Sequence, residues 1–341
     1  MTSEWAAEAL ARLDRERADT GTTPLRELPL PEAWGVRLRL KDESAQPTGG
    51  LKHRLARALF AQAIASGRIT EGTTVVDASG GPMAVAEAYF ARLLGLPYIA
   101  VMPKKSSGAG VERLGGTCRH VDPPLAVYEE AARLSDEIGG HYLDHYRTAA
   151  EVDWRGASLA DELFGQLAEC PRWIVVGAGT GATSAAIGRR LRGHGLPGRL
   201  AVADPENSAY FPGWATGAPD YATGMPSRIE GVGRPRMEPA FDSELVDMVV
   251  PVPDAASVAA ARYVRQVTGL FVGPATGTNL WAALELITRM RDRGERGEVV
   301  SVIGDAGERH LATCHDDAWA AGKGLDWRPY AERLRDLLGE P

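Results

Sequence analysis

Residues 172–191 read "RWIVVGAGTGATSAAIGRRL", and the reading of this stretch decides the fold. Ile174 to Val176 form a short continuous apolar run, the pattern of a strand buried on both faces of a parallel sheet. Gly177, Gly179 and Gly181 break the run, a helix is expected from near Ala182, and "RLAVADP" at 199–205 supplies the next strand. Strand, glycine loop, helix and strand make a βαβ unit, and its loop leaves backbone N–H groups at the positive end of a helix. Two ligands suit such a loop. Gly177, Gly179 and Ala182 match a G-x-G-x-x-A dinucleotide fingerprint, with Asp204 where a ribose-binding acid would stand. Thr180 and Thr183 add hydroxyls that suit a phosphate monoester instead.

The same pattern recurs on both sides. At 74–90, "TVVDASGGPMAVAEAYF" gives a strand, the loop Ser79, Gly80, Gly81, and a helix opened by Pro82 that runs to about Leu94 and stops at Gly95, before the strand "YIAVMP". At 298–311, "EVVSVIGDAGERHL" gives a strand from about Val299 ending in another glycine loop. The chain is therefore expected to be α/β, with open, parallel-rich sheets flanked by helices. Its 341 residues, 44% of them hydrophobic, suffice for two lobes. Between Pro205 and Met237 a stretch rich in Pro, Gly and aromatics has little periodicity and reads as an active-site rim, with Tyr210 and Trp214 as lining candidates.

A net charge of −7, from 38 basic and 45 acidic residues, points to small molecules rather than nucleic acid or an anionic membrane. Cys118, Cys170 and Cys314 lack metal-ligand spacing, so no metal site is expected, and unpaired thiols fit a cytoplasmic protein. The N-terminal residues resemble an amphipathic helix rather than an export signal, and no later stretch has the length and apolarity of a membrane span.

One further segment carries chemistry. In "QPTGGLKHRLARALF", residues 46–60, Gly49 and Gly50 precede a helix with Lys52 in its first turn. A lysine there sits against the helix dipole, and that unfavourable field makes its amine a better nucleophile towards a carbonyl. His53, Arg54 and Arg57 read as surface basics. Asp305 and Glu308 could serve acid–base chemistry, but glycine-loop acids more often cap the next helix.

From about Arg39 to Trp319 the chain resembles the cysteine synthase and cystathionine β-synthase family of pyridoxal 5′-phosphate (PLP) enzymes, the fold-type II group that includes the tryptophan synthase β-like enzymes. The segments "PTGGLKHR", "EAYFARLLGLPYIAVMP", "DPENSAYFPGW", "SRIEGVGRPR" and "GTNLWAAL" most resemble its bacterial cysteine desulfhydrase-like branch. The resemblance implies a large PLP-binding domain from residues 1–41 and 149–341 and a small mobile domain at 42–148. It also implies a homodimer. Lys52 matches the lysine that carries the cofactor, and Gly179, Thr180, Gly181, Ala182 and Thr183 match the phosphate loop, which leaves the dinucleotide reading a distant second.

Two departures stand out. Ser79, Gly80, Gly81, Pro82 and Met83 occupy the place of a family loop close to Ser-Ser-Gly-Asn-Thr, which holds the substrate α-carboxylate and contacts the cofactor's ring hydroxyl. Gly80, Pro82 and Met83 remove up to three of its polar contacts, and Met83 puts apolar character where a hydroxyl stood, pointing to a bulkier β-substituted alanine. In "GPATGTN", 273–279, Ala275 stands where the family places a serine near the pyridine nitrogen, leaving Thr276 or Asp305 to turn towards it.

The implied activity is a PLP-dependent lyase performing α,β-elimination on L-cysteine or a β-substituted alanine, through aminoacrylate to pyruvate and ammonia, with Lys52 as the catalytic base. Capture of the aminoacrylate by a second nucleophile would make it a β-replacement synthase. A PLP-binding protein without turnover, or a subunit needing a partner, is the reading of another class.

Overall fold

The computed structural model describes residues 3–154, 156–225 and 227–339. In chain order the elements begin with helix α1 (Glu4–Thr20), strands β1 (Leu25–Leu28) and β2 (Val36–Asp42), and helix α2 (Lys52–Ala65). Strand β3 (Val75–Ala78), helix α3 (Pro82–Leu94), strand β4 (Tyr98–Pro103), helix α4 (Ala109–Arg113) and strand β5 (Thr117–Val121) follow. Then come α5 (Val127–Ile138), β6 (His141–Tyr142), α6 (His145–Thr148), α7 (Leu159–Gln166), β7 (Trp173–Gly177), α8 (Ala182–Gly193) and β8 (Arg199–Pro205). The chain continues through α9 (Tyr210–Thr216), β9 (Met248–Val252), α10 (Asp254–Thr268), α11 (Pro274–Asp292), β10 (Gly297–Ile303), α12 (Asp317–Gly322) and α13 (Arg328–Leu338).

These elements form two compact units, one of Met1–Thr22 with Gln46–Arg155, the other of Thr23–Ala45 with Gly156–Pro341. Helix α1, expected with the larger domain, belongs to the smaller unit. Its buried stripe is Ala6, Ala9, Leu13 and Glu16, and the Glu16 carboxylate accepts from Arg57 Nε at 2.7 Å and pairs with His53 Nε2 at 2.8 Å, both on α2.

The smaller unit holds a four-stranded sheet in the order β5-β4-β3-β6, every pair parallel. The larger holds six strands in the order β1-β2-β10-β7-β8-β9, parallel except for the β1–β2 pair. Ile174, Val175 and Val176 are fully buried in the middle of that sheet, as a continuous apolar run requires. Helix α11, buried along most of its length, packs on it through Leu280, Ala283 and Ile287. No helix among the described residues is long and apolar enough to cross a membrane.

Candidate active site

In the larger unit, β7 delivers the chain into the loop Gly177 to Gly181 and then into α8. Gly181 has φ +89°, and a Cβ there would stand 2.5 Å from the Phe241 amide nitrogen. A Cβ on Gly177 would meet Val232 Cγ1 at 2.4 Å and Asn279 Oδ1 at 3.0 Å. Side chains are thus excluded on the protein side of the loop, and the backbone is what it presents. Thr180 is buried, and its Oγ1 accepts from the Ala182 N–H at 3.2 Å, so its own hydroxyl hydrogen stays available to an acceptor. Tyr210, buried and stacked on Phe241 at 4.2 Å between ring centroids, donates its hydroxyl to Gly179 O from beneath. It shapes the loop rather than lining a rim, while Trp214 donates to Val246 O at 3.3 Å.

Asp204 does not behave as a ribose-binding acid. Its Oδ2 accepts from the Phe211 N–H at 2.8 Å and so anchors the first turn of α9, a helix within the stretch that had looked aperiodic. Burial pushes its carboxyl up to about 6, against hydrogen bonds from Ser208 and Phe211. The loop's hydroxyls and helix-start amides fit a phosphate dianion.

Ala275 lies in the first turn of α11, in a small apolar cluster with Ile229 and Val232. Cβ atoms on Gly231 and Gly304 would stand 3.8 and 4.0 Å from its own, so small residues keep the space beside it open. Thr276 is fully buried and its Oγ1 accepts from the Gly304 N–H at 3.1 Å, a structural bond between α11 and the end of β10. Asp305 pairs through Oδ2 with His310 Nε2 at 2.9 Å, while its buried Oδ1 has no hydrogen-bond partner among the described residues. Glu308 is exposed in the following 3-10 turn. The two acids therefore have separate surroundings.

In the smaller unit Lys52 is the first residue of α2, partly buried. The approach to it is fixed by Gly49, at φ +73°, whose N–H donates to Gln46 O at 2.7 Å. His53, Arg54 and Arg57, read as surface basics, are buried. The reason is Glu16, which supplies the counter-charge from α1, and the apolar side of α3, where His53 packs on Phe90 at 4.7 Å between centroids. His53 Nδ1 lies 3.1 Å from Thr48 Oγ1, so the neutral ring with its hydrogen on Nε2 satisfies both contacts. Burial lowers its affinity for a second proton.

Ser79 to Met83 join β3 to α3, with Pro82 as the first helical residue and Gly81 before it in extended backbone. The N–H groups of Met83 and Ala84 fall in the first turn, where no intrahelical acceptor exists. Met83 is 3% exposed, so little of its apolar surface is open at the loop.

Behind this loop is a polar cluster that the sequence reading missed. Asp77 on β3, Glu87 on α3 and His145 at the start of α6 are all buried, with donor atoms within 4.8 Å of one another. Asp77 Oδ2 pairs with His145 Nδ1, and Tyr98 donates its hydroxyl to Glu87 Oε2 at 2.6 Å. Burial, then the charge of Asp77, push the Glu87 carboxyl well above the usual range; at Asp77 burial is outweighed by His145 and by a hydrogen bond from Glu87. A proton on Glu87, shared with Asp77, closes the network. The available signal was an acid on the otherwise apolar face of "AVAEAYF".

A family model described as "Pyridoxal-phosphate dependent enzyme" matches residues 17–305. Among curated proteins the chain is 48% identical to the L-cysteine desulfhydrase Cds1 of Mycobacterium tuberculosis over 339 residues, covering 96% of this chain and 92% of that one. It is 29% identical to the cysteine synthase of Aquifex aeolicus over 305 residues, 86% and 89% of the two chains. Among solved structures, O-ureido-L-serine synthase superposes with a TM-score of 0.78 at 23% identity, over 90% of this chain and 98% of that one. The chain belongs to the pyridoxal-phosphate dependent enzyme family and has the fold-type II architecture.

Proposed function

We propose that this PLP-dependent enzyme is a carbon–sulfur lyase that eliminates sulfide from L-cysteine, or the β-substituent from a related alanine, to give pyruvate and ammonia. The observation that carries the reading is the 48% identity, along nearly the whole of both chains, to the mycobacterial L-cysteine desulfhydrase.

We assign Lys52 to carry the cofactor, the amides of Gly179 to Thr183 with the Thr180 and Thr183 hydroxyls to its phosphate, and Ala275 with Thr276 to its ring. Bound there, PLP supplies an electron sink for the pair released at the substrate's α-carbon. Lys52 Nζ then takes the α-proton as a free amine. Ser79 and the N–H groups of Gly80, Gly81 and Met83 hold the α-carboxylate, which fixes the α-hydrogen towards that amine. Ala275 brings neither charge nor hydroxyl to the ring nitrogen, and the Thr276 hydroxyl, whose oxygen accepts from the Gly304 N–H, is neutral. Such a ring is a weaker sink, which favours rapid loss of a β-leaving group over a persistent carbanion. The protein acts in the cytoplasm as a homodimer on this reading.

The test is product analysis with purified enzyme. Cysteine should give pyruvate, ammonia and sulfide, and borohydride reduction should fix the pyridoxyl group on Lys52. A second product on adding a thiol or amine nucleophile, with pyruvate suppressed, would replace elimination by β-replacement. No change in visible absorbance across a panel of amino acids would mark a protein without turnover.

A further inference from the structure

Gly80 is the residue at which the substrate loop loses its second hydroxyl, and the structure puts another hydroxyl in that place. A Cβ added to Gly80 would meet Ser106 Oγ at 2.5 Å, Ser106 Cβ at 3.0 Å and Pro103 Cδ at 3.1 Å. Strands β3 and β4 run parallel, with Ala78 opposite Val101, so the residues after both emerge at the same end of the sheet. The Ser79 N–H donates to Val101 O at 3.0 Å and the Ser106 N–H to Pro103 O at 2.8 Å, which brings the turn after β4 against the loop after β3. Ser106 is partly exposed, and its hydroxyl has no hydrogen-bond partner among the described residues.

A Cβ-to-oxygen separation of 2.5 Å is well inside contact distance, so a serine at 80 would force the Ser106 hydroxyl out of its present position. Gly80 is what makes room for Ser106. An unpaired, partly exposed hydroxyl beside the loop's helix-start amides is placed to donate to the anion those amides attract.

We propose that Ser106 supplies to the substrate α-carboxylate the hydroxyl that Gly80 lacks. This rests on the reading of residues 79–83 as the carboxylate loop. The subsite is then Ser79, the loop amides and Ser106, and it selects an α-amino acid over the corresponding amine.

Three variants test it: Ser106→Ala, Gly80→Ser, and the exchange Gly80→Ser with Ser106→Gly, which moves the hydroxyl back to the loop. For each, KM and kcat for cysteine are measured, together with cofactor absorbance, Tm, and the thermal shift caused by L-serine and by cysteamine, which lacks the carboxylate. Loss of one hydrogen bond to a charged group should raise KM for cysteine about tenfold in Ser106→Ala, with kcat changed by less than about twofold. Stabilisation by L-serine should weaken in parallel, the response to cysteamine, absorbance and Tm being unchanged. The exchange should restore KM to within about threefold of wild type, while Gly80→Ser alone should bind worse than wild type. An unchanged KM and L-serine response in Ser106→Ala would overturn the proposal, as would a loss that the exchange fails to repair. If wild type binds L-serine but makes no pyruvate, the lyase reading falls while the L-serine shifts still decide the role of Ser106.

Discussion

Glu16 Oε1 lies 2.8 Å from His53 Nε2, and this contact ties the N-terminal helix to the residue that follows Lys52. Burial alone would raise the Glu16 carboxyl, but hydrogen bonds from His53 and Arg57 outweigh it and bring the group from 4.5 down to about 2. The folded chain therefore favours the ionised form. Its stabilisation is fully present above the ordinary value of 4.5 and is lost as pH falls through about 2. Replacing Glu16 by Gln should cost on the order of 2–3 kcal/mol at neutral pH. In denaturant melts the gap between wild type and Glu16→Gln should close as pH drops from 4.5 towards 2. A gap that stays constant across that window would show that packing, and not charge, holds the two helices.

The cluster behind the loop of residues 79–83 separates two kinds of carboxyl substitution. Glu87 is held protonated by burial and by Asp77, so Gln, which keeps a donor on a neutral group of the same shape, should cost less than about 1 kcal/mol. Asp77 carries the charge that faces His145, and Asp77→Asn should cost about 3 kcal/mol because it leaves that pair unmatched in the interior. Glu87→Leu should cost about 2 kcal/mol or more, by stranding the Tyr98 hydroxyl in the interior. Equal destabilisation by Glu87→Gln and Asp77→Asn in urea titrations would contradict the shared proton.

Two glycines at the ends of α8, Gly181 before its first residue and Gly193 at its last, should respond oppositely to alanine. At Gly181 the φ of +89° and the Phe241 backbone at 2.5 Å leave no room, so Gly181→Ala should cost about 2 kcal/mol or more and lower cofactor retention on gel filtration. Gly193 has nothing within 4 Å of a built Cβ, and alanine there should be neutral or stabilise by up to about 1 kcal/mol. A Gly181→Ala protein as stable as wild type would mean the loop can shift away from Phe241.

Strands β3, β4, β7, β8 and β10 were legible as mainly apolar runs punctuated by glycine or proline, and "YIAVMP" is β4 and "RLAVADP" is β8, to the residue, whereas β1, β2, β5, β6 and β9 were not read as strands. Helix α3 was legible from Pro82 at its start and Gly95 at its end, where φ is +72°. What escaped depends on partners distant in sequence. Arg57 looks solvated on α2 until Glu16, 41 residues earlier, is placed against it. Glu16 could have raised the question, being an acid on the same helical stripe as Ala6, Ala9 and Leu13. Met83 was misjudged because a residue type gives no direction; its position on α3 turns the side chain inward. Ser106 likewise escaped, because only the turn after β4 brings its hydroxyl to the space beside Gly80.

Ala275 is the departure whose reversal the structure leaves sterically open. On the Gly231 and Gly304 sides even a built Cβ would stand 3.8 and 4.0 Å from its own, so those two sides leave room for a serine oxygen beside Ile229 and Val232. Thr276 Oγ1 accepts from the Gly304 N–H at 3.1 Å, which fixes where that hydroxyl stands. If Ala275 faces the ring nitrogen, Ala275→Ser adds one neutral hydrogen bond, worth about 1 kcal/mol or roughly fivefold in cofactor affinity. The variant should keep its Tm, release PLP more slowly on dialysis, and show a displaced visible absorbance maximum. Gly231→Ala, at φ +93°, is the contrasting change: it narrows the same space under backbone strain and should lower Tm. Ala275→Ser with unaltered PLP release and an unmoved absorbance maximum would place the ring nitrogen elsewhere and remove Ala275 from the cofactor's surroundings.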